Sequence, residues 1–248
     1  MRRFKLPELL YNLSRSEMQS NYNRFGAWNY RTKQQFLTQM AKVDRICQES
    51  KLLSQPRELI RRINRNERHI LEGLGTQVSA IRNEITRQIS TIAYFEVPTS
   101  DVSLYEQKEP LFGNLVHVNF KSSRYDIAEA GKCMAFDRST AAVMHLMRAL
   151  EPALVAMAKD VGYIPTRDVW GKMINEIQER LDPKNANYVK DARKRNFLSP
   201  AAVQFRHFKD AWRDHAMHAR EKYDHDEART VFAGVRSFMM YLAKRLKE

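Results

Sequence analysis

The chain has little of what sheets, covalent staples and membrane spans require. Its 248 residues include eight glycines and eight prolines, too few for a strand-and-turn architecture or for long disordered linkers. Cys47 and Cys133 are the only cysteines. They provide neither a disulfide framework nor a thiolate cluster for structural zinc, and this usage fits a reducing cytoplasm. No apolar stretch approaches the roughly 20 residues needed to cross a bilayer, so no membrane contact is expected. Met1-Arg2-Arg3-Phe4-Lys5 looks briefly like the start of a signal peptide, but Pro7, Glu8 and Asn12 interrupt any apolar run behind it. A Gly-rich phosphate loop, a His-Glu-x-x-His helix and a nucleophile elbow are all missing. That sets aside an ATPase, a zinc hydrolase of the common motif type and an α/β-hydrolase. No cofactor and no metal ion are expected.

Cationic side chains, by contrast, are abundant. Forty-two Lys and Arg stand against 29 Asp and Glu, a net charge of +13. The excess is uneven: residues 1–90 hold 17 basic and 8 acidic side chains, and residues 91–248 hold 25 and 21. A positive surface draws in phosphate backbones at long range without selecting a sequence. Colloidal solubility is the plainer reading of the same charge.

Apolar periodicity predicts an all-α chain. Tyr11, Tyr22, Phe25, Trp28 and Tyr30 lie among polar groups, a pattern open to a packed arm and to short helices alike. Residues 31–53 read as a helix, with Phe36, Met40, Val43 and Cys47 on one stripe. Pro56 suits the start of a longer helix, whose stripe runs through Leu59, Ile63, Ile70, Leu74, Val78, Ile81, Ile85, Ile89 and Ile92. Gly73 and Gly75 weaken its middle and predict a split, hence a helical hairpin or coiled-coil packing. The opposite face carries an arginine row, for which a solvated surface is the default reading. The expected division is a basic helical region over 1–97, a linker over 98–113 and a helical bundle over 114–248.

Within the bundle, helices are predicted over Asp126 to Phe136 and over Ser139 to Val161, the latter bent by Pro152 and ended by Gly162. Asp168 is the expected cap of a helix reaching Leu181. After a short segment near Tyr188–Asn196, Pro200 is the expected start of a helix with Phe205, Phe208, Ala211 and Trp212 on its buried stripe. Asp224 and Glu227 have the spacing of a capping box opening the last helix.

The best functional lead is Arg213-Asp214-His215-Ala216-Met217-His218. Histidine exchanges protons near neutral pH, and so can activate a ribose 2′-hydroxyl or protonate a departing 5′-oxygen. Arginine keeps its charge and grips two phosphate oxygens in a fork, which stabilises the extra charge of a phosphorane-like transition state. Arg213 and His218 supply these two types, and the scheme needs no metal. Asp214 and His215 are candidates to orient the imidazole or touch substrate, and Arg220 and Tyr223 are candidate phosphate or ribose contacts. Five residues place Arg213 and His218 about 140° apart on an ideal helix. Convergence therefore needs arginine's reach, a distorted turn, or a second copy of the chain across a two-fold axis. Elsewhere, His145 in Val143-Met144-His145-Leu146-Met147 reads as a satisfied buried or interfacial histidine, and Arg193-Lys194-Arg195 as a solvated turn. No spacing among His207, His215, His218 and His225 makes a closed metal site.

Three stretches resemble the higher-eukaryote-and-prokaryote nucleotide-binding (HEPN) superfamily. They are Asp126 to Cys133 running into Met144 to Glu151, the helix from Trp170 to Ile177, and Trp212 to His218 followed by Tyr223 and Glu227-Ala228. The resemblance covers roughly residues 110–246. The family's arginine, four residues, histidine pattern falls on Arg213 and His218, and its polar residue after the arginine on Asp214. The resemblance implies a helical bundle that dimerises to bring two motifs together. It also implies metal-independent endoribonuclease activity in a toxin or defence role, with a regulatory or antitoxin partner. The alternative it carries is a non-catalytic dimeric adaptor or a nucleotide- or RNA-binding module.

Overall fold

The computed structural model describes residues 6–22, 30–52, 55–65, 73–93, 96–166, 169–217 and 222–248. Among these, every regular element is helical and no strand occurs. The chain divides into two compact units, Met1–Tyr94 and Phe95–Glu248.

The first unit holds α1 (Leu6–Tyr22), α2 (Tyr30–Glu49), α3 (Gln55–Asn64) and α4 (Leu74–Ser90). Leu9 and Leu13, one turn apart on α1, are buried against Phe36, Met40, Val43 and Cys47 of α2 and Val78, Ile81 and Ile85 of α4. The early aromatic and polar segment therefore includes a full helix, α1. The α2 stripe is the one read from the sequence, but the helix stops at Glu49, where Lys51 turns to φ +58° and Leu52 N–H donates back to Cys47 O at 2.8 Å. Among the described residues, the stretch read as one long helix from Pro56 holds α3 and α4. α4 starts beside Gly73 and ends before Ile92, which is left 44% exposed and off the core. Ile70, assigned to that helix from the sequence, lies outside the described residues.

The second unit begins with a short 3-10 turn (Thr99–Asp101), α5 (Val102–Glu106), α6 (Asn114–Asn119) and another 3-10 turn (Lys121–Ser123). It continues through α7 (Arg124–Ala135), α8 (Ser139–Asp160), α9 (Trp170–Leu181) and α10 (Ala192–Phe208). A π turn (Lys209–Arg213), α11 (Asp214–Met217) and α12 (His225–Leu242) complete it. Residues 98–113 are tied into this unit: the buried Asp101 accepts from Arg229 of α12 at 2.7 Å, and Phe112 meets Phe232 edge-on at 5.3 Å.

α8 is the axis of the bundle. Its alanines at 142, 149, 153, 156 and 158 are buried along with Val143, Leu146, Leu150, Leu154 and Met157. Side chains this small let α7 and α12 pack close to its backbone. One sequence expectation needs correction here. Ser139–Asp160 is long and apolar enough, by length and composition, to cross a membrane. In the bundle 61% of its most apolar window is buried by neighbouring helices. Gly162 ends α8 at φ +82°, and the Tyr163 amide donates back to Ala158 O at 2.9 Å.

Two helix starts follow the chemistry of a side-chain cap. At α12 the capping box is complete, with Glu227 N–H donating to Asp224 at 2.8 Å and Asp224 N–H to Glu227 at 3.0 Å. α10 opens before Pro200, because Asp191 accepts from the Arg193 and Lys194 amides and nucleates the helix there. Pro200 thus lies inside the helix it was expected to begin. Asp168, the expected cap of α9, lies outside the described residues.

Candidate functional site

Phe205 and Phe208 anchor the end of α10 in the core. The backbone then widens over Lys209–Arg213 into a π turn, in which the Asp214 amide bonds to Lys209 O, five residues back. A π turn holds an extra residue per turn, so it shifts every following side chain around the axis. The expected buried stripe holds in part: Trp212 still packs against the core that buries Phe205 and Phe208, but it and Ala211 are only half-buried. π turns of this kind are often found at functional sites.

Lys209 and Asp214 show what the wider turn does. Their side chains meet at 2.7 Å across five residues. Lys209 also reaches Asp210 at 3.1 Å. The Asp214 carboxylate first, and then that of Asp210, holds the Lys209 ammonium above its ordinary pKa. Asp214 therefore carries a countercharge of its own, and Arg213 approaches it at only 4.0 Å.

Arg213 is turned instead toward α9. Its guanidinium lies over the Trp170 ring, 5.1 Å from the centroid, and the side chain keeps 28% of its exposure. Trp170 is itself buried, edge-on to Phe205 at 5.9 Å, and its indole N–H donates to Glu151 of α8 at 3.3 Å. A buried indole held at both edges is a rigid shelf, and a cation over its face is further attracted by the ring quadrupole.

The remaining sequence candidates are dispersed. His215 is half-buried on α11. Tyr223 is buried, with its hydroxyl donating to Trp212 O at 3.1 Å and its amide to Thr140 Oγ1 at 3.1 Å. His218 and Arg220 lie outside the described residues. Arg213, Asp214, Lys209 and Trp170 are thus brought together, and Tyr223 packs beside Trp212. Among the described residues, no group of three or more His, Cys, Asp or Glu is arranged to hold a metal ion.

Sequence reasoning missed Lys209, Glu151 and the indole shelf. A Lys and an Asp five apart carry no helical signal, because an ordinary α-helix does not align them. The Trp170–Arg213 and Trp170–Glu151 pairs are long-range contacts with no local signature. His145, read as satisfied, has its partner: Asp126 Oδ1 lies 2.8 Å from Nδ1. Within Arg193-Lys194-Arg195, Lys194 pairs with Asp160 at 2.8 Å, and Arg195 donates to Val189 O at 2.6 Å.

The chain matches no family model, no curated protein and no solved structure.

Proposed function

We propose that the second unit is a HEPN-like bundle and that the protein is an endoribonuclease working from Arg213 and His218. A ribose 2′-oxygen attacks the adjacent phosphorus as the bond from phosphorus to the 5′-oxygen breaks. The 2′-hydroxyl proton leaves to a base, and the 5′-oxygen gains a proton from an acid. His218 serves one of these two proton transfers, and Arg213 clamps the phosphoryl oxygens as charge builds on them. Asp214, paired with Lys209, holds the turn. A homodimer and a regulatory partner in a toxin or defence setting belong to the same reading.

The observation that supports it most is the π turn. A distorted turn is one of the routes by which residues five apart can cooperate, and Lys209 and Asp214 make such a contact where the motif begins. The net charge of +13 suits a polyanionic substrate.

The test is cleavage of single-stranded RNA in the presence of EDTA. The parent protein is expected to cut RNA, to spare a 2′-deoxy substrate and to lose activity in His218→Ala. Equal cutting by His218→Ala would remove the mechanism. One observation favours a second reading, a dimeric adaptor: Arg213 is already stacked on Trp170 and largely covered. That reading expects Arg213→Ala to lose dimerisation from a parent with no nuclease activity.

A further inference from the structure

Residues 91–248 hold 25 cationic and 21 acidic side chains, and the surplus is not spread evenly over the second unit. The segment from Asp182 to Phe197 has five cations against two acids, and the segment from Tyr241 to Glu248 has three against one. Among the described residues, Asp160 is the one further acid paired with a cation of either segment, Lys194 at 2.8 Å. With Asp160 included, the two segments carry eight cations and four acids, and the rest of the unit balances at seventeen of each. The whole positive surplus of the unit therefore belongs to these two segments.

Packing joins them into one corner. Tyr241 stacks on Phe197 with ring centroids 4.6 Å apart, and its hydroxyl donates to Phe197 O at 2.8 Å. The Arg245 guanidinium lies over the Phe197 ring, 5.4 Å from its centroid, and Nη1 donates to Arg193 O at 3.4 Å. Arg195 is held in the same manner. It lies 5.7 Å from the Tyr188 centroid and donates to Val189 O at 2.6 Å and Lys190 O at 2.8 Å. Rings and carbonyls fix a guanidinium in place without cancelling its charge. Lys190, Arg193, Lys244 and Arg245 are exposed, and the ion pair found in this corner joins Lys194 to Asp160.

The arrangement works against the helix that carries it. Arg193-Lys194-Arg195 forms the first turn of α10. The unpaired amides of a first turn give a helix a positive end, which favours acids and disfavours cations. α10 has no acid in that turn, and Asp191 before it is the cap. Lys244 and Arg245, from the end of α12, bring further charge of the same sign to it. Repulsion of this kind is relieved when an anion binds.

We propose that Lys190, Arg193, Lys244 and Arg245 form a binding surface for the phosphate backbone of RNA. The two guanidiniums fork phosphate oxygens, and the two lysines add point charges. Tyr188 and Phe197 are half-buried and already covered by Arg195, Arg245 and Tyr241, so the contacts go to phosphates and select no sequence. Among the described residues, no exposed large apolar side chain falls within either segment. A bilayer surface, which takes up apolar area as well as charge, therefore fits less well than RNA. The surface rests on the RNA reading of the protein, but it is separate from the residues assigned to bond cleavage. Arg193 and Arg213 lie about 30 Å apart along one helical run at 1.5 Å per residue.

The experiment is a fluorescence-anisotropy titration of the full chain with a fluorescein-labelled oligouridylate at several salt concentrations. His218→Ala serves as the background, so that the RNA survives. Lys190→Gln, Arg193→Gln and Arg245→Gln are each expected to flatten the dependence of log affinity on log salt by about 0.7, the share of one single-strand phosphate. Each then weakens binding about fivefold at about 0.1 M salt. Arg245→Gln gives up the Phe197 ring, so thermal unfolding is followed alongside; Lys190→Gln and Arg193→Gln remove no described side-chain contact. Arg236→Gln removes an exposed cation of α12 outside the corner and is expected to leave the slope unchanged. RNA binding with slopes unaltered by the three corner variants, or altered as much by Arg236→Gln, would overturn this surface and leave the RNA reading standing. No RNA binding by the His218→Ala protein would overturn both. Sedimentation with phosphatidylserine vesicles is the second arm. Capture that Arg193→Gln abolishes, with RNA affinity unchanged, would assign the corner to a membrane and overturn the proposal.

Discussion

Arg213 lies over Trp170, its guanidinium 5.1 Å from the ring centroid, and Trp170 in turn donates its indole N–H to Glu151 at 3.3 Å. The proposed phosphate clamp is therefore placed by α9 and α8 as much as by its own helix. A lysine at this position keeps the charge but loses the planar face that stacks. Arg213→Lys is expected to cost about 0.5–1 kcal/mol in urea unfolding. It is also expected to slow RNA cleavage at least about tenfold, since a point charge cannot fork two phosphate oxygens. Full activity in this variant would show that the guanidinium is not the clamp.

Gly131 marks where α5 and the segment after it press on α7. A β-carbon built there would sit 2.5 Å from Leu111 Cδ1, 2.9 Å from the backbone oxygen of Leu104 and 3.0 Å from Gln107 Nε2. The two side chains can swing aside, but the carbonyl belongs to a helix and cannot. Overpacking of this sort costs about 1–3 kcal/mol, and the better helix propensity of alanine returns about 1 kcal/mol. A net loss is expected for Gly131→Ala, read as a lower urea midpoint. An unchanged or raised midpoint would mean that this contact is loose.

Burial, and secondarily the nearby Asp44 carboxylate, pushes the Cys47 thiol from its ordinary value of 9.0 up to about 11. The folded chain thus holds its proton more tightly than the unfolded one. The resulting stabilisation is complete below 9.0 and is lost as pH rises through about 11. Urea unfolding of the parent should therefore weaken across that window more steeply than unfolding of Cys47→Ala. Parallel pH profiles for the two proteins would contradict the assigned burial. A thiol reagent offers a second measurement, with Cys47 expected to react at about pH 8 only on unfolding.

Much of the helical layout was legible because its causes are local. The α2 stripe of Phe36, Met40, Val43 and Cys47 repeats within a turn or two. The capping box of Asp224 and Glu227 is complete within four residues, and the stop at Gly162 needs only one left-handed residue. Pro200 misled because proline is tolerated at a helix start, whereas the Asp191 cap had already begun α10 further back. The end of that helix was legible in part: Trp212 packs against the core as its position suggests, but the backbone changes period at Lys209, which the sequence does not show.

Read without coordinates, the chain already determined a helical protein with a basic first part, an Arg and a His five residues apart, the capping box of its last helix and the stop at Gly162. These follow from periodic burial and short-range hydrogen bonds, which are settled among neighbours along the chain. Tertiary packing alone decided that Lys209 meets Asp214, that Arg213 leans on Trp170, and that Asp126 fixes His145. The first depends on a widened turn and the other two on helices packed side by side, neither of which is encoded in residue spacing.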